Sequence, residues 1–224
     1  MITPRPQLIL CSGLFAQLLF AAMPVQAQSS VETLESSAFK LEVNTNPYSY
    51  RIVEKSTGET LLQESGGAWF TESKYPVRTA SNVTNANHGL QAVLHLDGTS
   101  TPAQVNFRFF SPEILQVTLT FNSGIPTQIS EEFTDQGEHY YGIWEMPFGA
   151  SIDNRGADHD FLGIRHQPDV NYSSARAPFY ATSHKYGIYV QTTGQGHYSV
   201  AQAGKTSFHF HDAQLIYVSD PNQQ

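Results

Sequence analysis

L-Q-A-V-L-H-L-D-G-T-S-T-P-A-Q-V-N-F-R-F-F-S-P-E-I-L-Q-V-T-L-T-F, from Leu90 to Phe121, decides the fold class. Leu90 to Leu96 alternates apolar and polar residues, and Asp97-Gly98-Thr99-Ser100 supplies a turn. Val105, Phe107 and Phe109 then return on one face. Ser111-Pro112 turns the chain again, and Val117, Leu119 and Phe121 alternate against Gln116, Thr118 and Thr120. A period of two sends successive side chains to opposite faces of a strand. Three such strands in succession predict an antiparallel meander that packs one face only.

The pattern continues outward in both directions. Upstream, Phe39, Leu41 and Val43 alternate with Lys40, Glu42 and Asn44 until Asn46-Pro47 interrupts them. Tyr48 to Lys55 resumes, and Ser56-Thr57-Gly58 turns the chain into Thr60 to Gln63, a hairpin with Gly58 available for a positive φ. Ala68-Trp69-Phe70 reads as a short strand, and Ser81 to His88 reads as turn-rich. Downstream, strands are expected at Tyr140–Trp144, Tyr186–Gln191, Tyr198–Gln202, Thr206–His211 and Leu215–Val218. No window carries the i, i+3, i+4, i+7 apolar stripe of a substantial helix. The expectation is an all-β, antiparallel β-sandwich.

Arg5 followed by an apolar run from Leu8 to Ala22, ending near Val25-Gln26-Ala27, reads as a signal peptide cleaved after Ala27. The run is broken by Ser12, Gly13 and Gln17 and is short for a membrane span. The mature chain is therefore expected to be secreted or periplasmic. Residues 28–37 read as a flexible leader, 38–219 as one β-sandwich domain and 220–224 as a polar tail. Cleavage removes Arg5 and the single cysteine, Cys11, moving the formal charge from −8 to −9 and leaving no thiol chemistry. An acidic chain without a basic run has no electrostatic reason to bind nucleic acid or an anionic membrane. Gly194-Gln195-Gly196 lacks the third glycine and the helix of a dinucleotide loop, so no cofactor is expected.

Chemistry is concentrated between Gly137 and Tyr189. Residues from Pro147 to Ala175 form a long irregular segment rich in Asp, Asn, Arg and His, with too few periodic apolar residues for a core element. Long loops on a rigid scaffold commonly carry function. Glu131, Glu132, Asp135, Glu138, Glu145, Asp153, Asp158, Asp160 and Asp169 surround it. A glycosidase needs two carboxyl groups flanking one bond, but surface charge is the expected role of most of these. His209-Phe210-His211 places two imidazoles on one strand face and phenyl rings on the other. Metal sites need more ligands and a supporting shell, so no metal is expected. The aromatics of this region, among them Tyr140, Tyr141, Trp144, Phe179, Tyr180, Tyr186 and Tyr189, are divided between core and sugar-stacking platforms, with half expected inside.

In order, Y-Y-G-I-W-E at Tyr140–Glu145, N-R-G at Asn154–Gly156, A-P-F-Y at Ala177–Tyr180 and Y-G-I-Y-V at Tyr186–Val190 resemble the amino-terminal domain of glycoside hydrolase family 31. F-K-L-E-V with the S-T-G-E-T-L-L hairpin resembles that domain's start. F-H-F-H-D-A-Q-L-I-Y-V-S-D-P-N resembles its last strands and the lead into a catalytic barrel. The resemblance spans Ala38 to Asn222 and implies a galactose-mutarotase-like supersandwich, acting on α-glycosides such as glucosides or xylosides. It also implies a loop that reaches the sugar. That loop precedes A-P-F-Y here, which makes Asp169 and Asn171 the candidate sugar contacts. Glu145 and Arg155 match motif positions and are further candidates, for contact or for support. Trp144 stands where the motif usually has a glycine. The family's catalytic aspartates lie on the barrel, so the resemblance assigns no catalytic residue to this chain.

The function expected is thus the non-catalytic, carbohydrate-binding or support domain of a secreted α-glycosidase, with an α-glycoside and a separately encoded barrel as partners. A missing barrel predicts exposed apolar surface where it would dock. The alternatives are a free-standing carbohydrate-binding module and then an aldose-mutarotase-like enzyme. The latter requires a general acid and base, for which His139, His166, His184 and His197 are available.

Overall fold

The computed structural model describes residues 29–86, 89–121, 128–144, 152–161, 176–192, 194–211 and 215–219. Strands β1 (Val31–Glu35), β2 (Phe39–Thr45), β3 (Tyr48–Glu54) and β4 (Thr60–Gln63) form a four-stranded sheet in chain order. Leu41, Val43, Tyr50 and Ile52 are buried along its inner face, as the alternation predicts. Gly58 takes a φ of 76° in the β3–β4 turn. The expectation of a flexible leader is corrected at Val31–Glu35, which pairs with β2 from Asn44 to Lys40. Leu34 packs against the core, and the edge of β2 offers backbone groups that need partners.

The remaining strands form one large sheet. They are β5 (Trp69–Phe70), β6 (Tyr75–Ala86), β7 (Gly89–Leu96), β8 (Ala103–Ser111), β9 (Ile114–Phe121), β10 (Gln128–Thr134) and β11 (Tyr140–Trp144). β12 (Asp158–Phe161), β13 (Arg176–Thr182), β14 (Gly187–Gln191), β15 (Gly196–Gln202), β16 (Lys205–His211) and β17 (Leu215–Ser219) complete it. The order across the sheet is β11-β13-β14-β17-β9-β8-β7-β6-β5-β10-β16-β15-β12. The meander is β7-β8-β9, with Leu90, Leu94, Val105, Phe107, Val117 and Leu119 buried.

Besides β1, three strands were hidden in the sequence, and one turn-rich run proves extended. β6 continues to Ala86 because register shifts between Val77 and Thr79 and between Ser81 and Thr84 absorb its irregular residues. Asn82 adopts a φ of 51° within the second shift, the local kink of a bulge. β10 is disguised because Glu131 occupies an inward position between Ile129 and Phe133. β12 lies within the irregular segment as a short strand at one end of the sheet. β13 contains Pro178, which falls where its register against β11 shifts between Gly142 and Trp144. A proline is tolerated there because the ladder is already interrupted. Gly142, at a φ of 102°, is required at the same place, since a Cβ would lie 2.9 Å from the Phe179 carbonyl oxygen.

The core between the sheets is largely aromatic. Tyr50 of β3 meets Phe107 of β8 edge-on at 5.1 Å and Phe133 of β10 at 6.3 Å, which docks the small sheet on the large one. A second group joins Tyr140, Tyr180, Tyr198, Phe208 and Phe210. Burying each such ring contributes about 1.5–3 kcal/mol. Of the central aromatics, Tyr140, Tyr180 and Tyr186 are core, whereas Tyr189 is exposed.

Not all the central acids are solvated, as the sequence suggested for most. Glu64, Glu131 and Glu138 are each only 1% exposed. Burial raises the Glu131 carboxyl well above its ordinary value, and the nearby Glu64 adds to this. Burial likewise moves Glu64 from 4.5 to about 7, against the N–H of Gly66 at 2.7 Å. The large exposed apolar side chains among the described residues are Val31, Phe110, Ile152 and Tyr189, which lie on four different segments.

Candidate functional site

The D-N-R-G stretch joins the two ends of the large sheet. On one side, the Asn154 N–H donates to the Tyr140 carbonyl at 2.8 Å, and its side-chain amide donates to the carbonyls of Tyr140 and Gly142 in β11. On the other side, the Gly156 N–H donates to the Val200 carbonyl of β15, and the Val200 N–H donates back to Ala157. β12 follows directly and pairs with β15. Asn154 is buried, and its side-chain nitrogen finds both partners inside the protein. The sheet is closed by five residues that belong to no strand.

Arg155 locks this clasp. Its two terminal nitrogens bond the two carboxylate oxygens of Asp135 at 2.8 and 2.9 Å, and one also donates to the Glu138 carbonyl at 2.7 Å. A bidentate fork of this kind fixes direction as well as distance. Partial burial works to raise the Asp135 carboxyl, but Arg155 and the Gly137 N–H outweigh it and hold it below its ordinary range. The same Asp135–Arg155 hydrogen bond raises the guanidinium. Asp153 accepts from the His139 ring at 2.6 Å, the Tyr140 N–H at 3.0 Å and the Arg155 N–H at 3.1 Å. Partial burial opposes these bonds, which nevertheless keep its carboxyl low. Buried Glu138 accepts from the Tyr186 hydroxyl at 2.8 Å and the Gln136 N–H at 2.6 Å.

Arg155 is thus bonded into the scaffold through Asp135 and the Glu138 carbonyl. Glu145, Asp169 and Asn171, like His166, lie outside the described residues. In the chain, 145–151 connects β11 to Ile152, just before the clasp, and 162–175 connects β12, just after it, to β13.

A second polar constellation runs across the outward face of five strands. Register aligns Trp69 of β5, Ser130 of β10, His209 of β16, His197 of β15 and Asp160 of β12 in one row. His197 bonds Asp160 through Nδ1 at 2.9 Å and Asp158 through Nε2 at 2.8 Å. Its partial burial works against protonation, but the two aspartates raise it overall. The ring stacks on His209 at 5.4 Å, which is lowered first by burial and then by the charge on His197. Trp69 covers the other side of His209 at 5.6 Å, and Lys74 lies 5.4 Å from the Trp69 ring. His211 is bonded to Gln128 at 2.7 Å. Phe208 and Phe210 point into the core, so the expected division of this strand into a polar and an apolar face holds.

The row as a unit was missed. Its legible signal was D-H-D at Asp158–Asp160, which puts two carboxylates on one strand face. Chemically it is an imidazole held between two carboxylates, which favour its charged form, and stacked on a second imidazole whose charged form is disfavoured. Among the described residues no group of three or more His, Cys, Asp or Glu side chains is arranged to hold a metal. Of the histidines expected for acid–base work, His139 and His197 are each bonded to aspartate rather than to a glutamate.

Solved structures share the fold. An uncharacterized protein from Listeria monocytogenes EGD-e is similar with a TM-score of 0.53 at 12% identity, over 87% of this chain and 26% of that one. The cycloalternan-forming enzyme of Listeria monocytogenes, solved with a pentasaccharide substrate, gives 0.51 at 13% identity, over 81% and 24%. A glycoside hydrolase family 31 sulfoquinovosidase from E. rectale, solved with an aza-sugar inhibitor, gives 0.47 at 10% identity, over 86% and 27%. No family model matches the chain, and no curated protein matches it. At such identities the likeness is one of fold, and the chain spans about a quarter of the length of these structures. The chain thus shares its β-sandwich fold with part of the cycloalternan-forming enzyme and of the uncharacterized Listeria protein.

Proposed function

We propose that this chain is the carbohydrate-binding and supporting β-sandwich of a secreted α-glycoside hydrolase, and that the bond-breaking carboxylates lie outside it. The observation that carries this reading is the commitment of the central acids. Asp135 is held by Arg155, Asp153 by His139, Asp158 and Asp160 by His197, and Glu138 by Tyr186. Retaining and inverting hydrolysis both need two carboxyl groups facing one glycosidic bond, and these acids instead hold the scaffold together. The clasp anchors the starting points of both segments that carry Glu145, Asp169 and Asn171, as a loop delivering sugar contacts requires. The resemblance in motif order and the shared fold support the same assignment.

The test is hydrolysis of chromogenic α-glucoside, α-xyloside and α-galactoside by the purified chain, with sugar binding followed calorimetrically in the same preparation. The expected result is no turnover, with binding that weakens in Asp169→Ala and Asn171→Ala. Turnover that survives repurification overturns the reading. Absence of both turnover and binding leaves a support domain alone and removes the carbohydrate-binding half.

A further inference from the structure

The outward face of β6, β7, β8 and β9 is hollowed into a groove of about 320 Å³. Its side chains come from two neighbouring cross-strand rows. Thr84 lies opposite Gln91, Gln91 opposite Asn106, and Asn106 opposite Thr118. In the other row Val93 faces Gln104, and Gln104 faces Thr120. The alternation that sends Leu90, Ala92, Leu94, Val105 and Leu119 into the core sends these residues outward. The bulge between Ser81 and Thr84 bends β6 at the rim, since a bulge kinks its strand and increases the local twist.

Three properties of this lining select a ligand class. No charged side chain lines the groove, so an ionic ligand finds no counter-charge. The lining is dominated by amides and hydroxyls, each able both to donate and to accept. None of the side chains of Thr84, Gln91, Gln104, Asn106, Thr118 and Thr120 hydrogen-bonds to another protein group among the described residues. Neighbouring vicinal hydroxyls, which also donate and accept, complement such an array. The four-residue row repeats at the strand spacing of about 4.8 Å, which suits an extended chain of sugar rings better than one compact molecule. The volume falls at the low end of small-molecule sites, about 300–1,000 Å³.

We propose that this groove binds a short neutral oligosaccharide at a site separate from the 162–175 segment. Sheet order supports the separation: β6–β9 occupy the middle of the large sheet, whereas β11 and β12 are its two ends, joined at the clasp. The choice of sugar rests on the carbohydrate role proposed above, and the location does not.

The experiment is titration of the whole chain with maltotriose, isomaltotriose and cellotriose, followed through the backbone and side-chain amide NMR signals. Shifts at the side-chain amides of Gln91, Gln104 and Asn106 are expected. The double variant Gln104→Val, Asn106→Val keeps strand-forming residues at outward positions and should retain the wild-type melting temperature. Loss of two hydrogen-bonding amides should weaken binding about tenfold or more. Shifts confined to Asp169, Asn171 and their neighbours overturn the groove and leave the proposed function standing. Shifts at the groove without any at 162–175 uphold the groove and count against Asp169 and Asn171. No shift at either place overturns both. Unchanged affinity in the double variant, or a dimer that buries this face, also overturns the groove.

Discussion

Two outward faces of the same sheet handle polar side chains in opposite ways. Across β5, β10, β16, β15 and β12 the row from Trp69 to Asp160 is charged, aromatic and paired, with both nitrogens of His197 bonded. Across β6 to β9 the rows are uncharged, and their amides and hydroxyls are left to solvent. Pairing turns a polar side chain into scaffold, because removing its partner strands a desolvated group. An unpaired array costs nothing to expose and remains available to a ligand. The contrast predicts that substitutions in the paired regions register as stability, and substitutions in the groove as affinity.

The clasp should break the comparison most visibly. Arg155→Ala leaves the Asp135 carboxylate, 7% exposed, without its bidentate partner. A loss of about 2–4 kcal/mol is expected in chemical denaturation. Arg155→Lys should recover only part of it, since an ammonium cannot reproduce the fork. Wild-type stability should also fall in acid, because Asp135 and Asp153 have carboxyls below their ordinary values. Their contribution is present above the ordinary carboxylate range and is lost as pH falls through the lowered folded values. Arg155→Ala should shrink that acid loss, and equal slopes in the two proteins would refute the assignment.

The buried acids predict a dependence of the other sign. In the folded chain Glu64 keeps its proton to about 7, whereas the unfolded chain releases it near 4.5. The folded state binds more protons in that window, so stability should decline as pH rises from about 4.5 to about 7. Burial and the neighbouring Glu64 also raise the Glu131 carboxyl well above its ordinary value. Glu131→Gln should stabilise the chain at pH 8, on the order of 1–3 kcal/mol, and flatten the decline. Melting curves from pH 4.5 to 8 on both proteins decide it.

A smaller effect is expected on the paired face. His197 is raised in the folded state, so its contribution is complete below the unfolded value of 6.5 and disappears as pH rises through the folded one. His197→Gln should cost about 1 kcal/mol near pH 6 and progressively less toward pH 9, with salt reducing the difference. A cost independent of pH would mean that the ring acts by stacking alone. Smallest of all, Gln104→Val should change stability by no more than about 0.5 kcal/mol. A larger loss would show that the groove face is also scaffold.

Legibility followed the strength of the local pattern. The meander and the Phe39–Gln63 hairpins were readable because one face of each strand is apolar at every second position. β10 was not, since a glutamate at an inward position defeats a rule based on polarity, and its burial depends on strands distant in sequence. β6 was obscured by asparagines that a bulge accommodates. The motif D-N-R-G was visible, but its work as the clasp depends on Tyr140 and Val200 arriving on either side. The Trp69–Asp160 row draws its members from five strands, so no window of sequence contains it.

The sequence by itself determined the all-β class, the antiparallel meander, the inward set of most strands and the acidic charge, because these follow from residue type and a period of two. Tertiary structure alone decided that the sheet closes end to end, that Glu64 and Glu131 share the core, and which outward face is paired and which is open. Those properties depend on register between strands, which brings together side chains up to 140 residues apart, such as Trp69 and His209. Alternation says which side of a strand a residue occupies, and only the assembled sheet says what stands next to it.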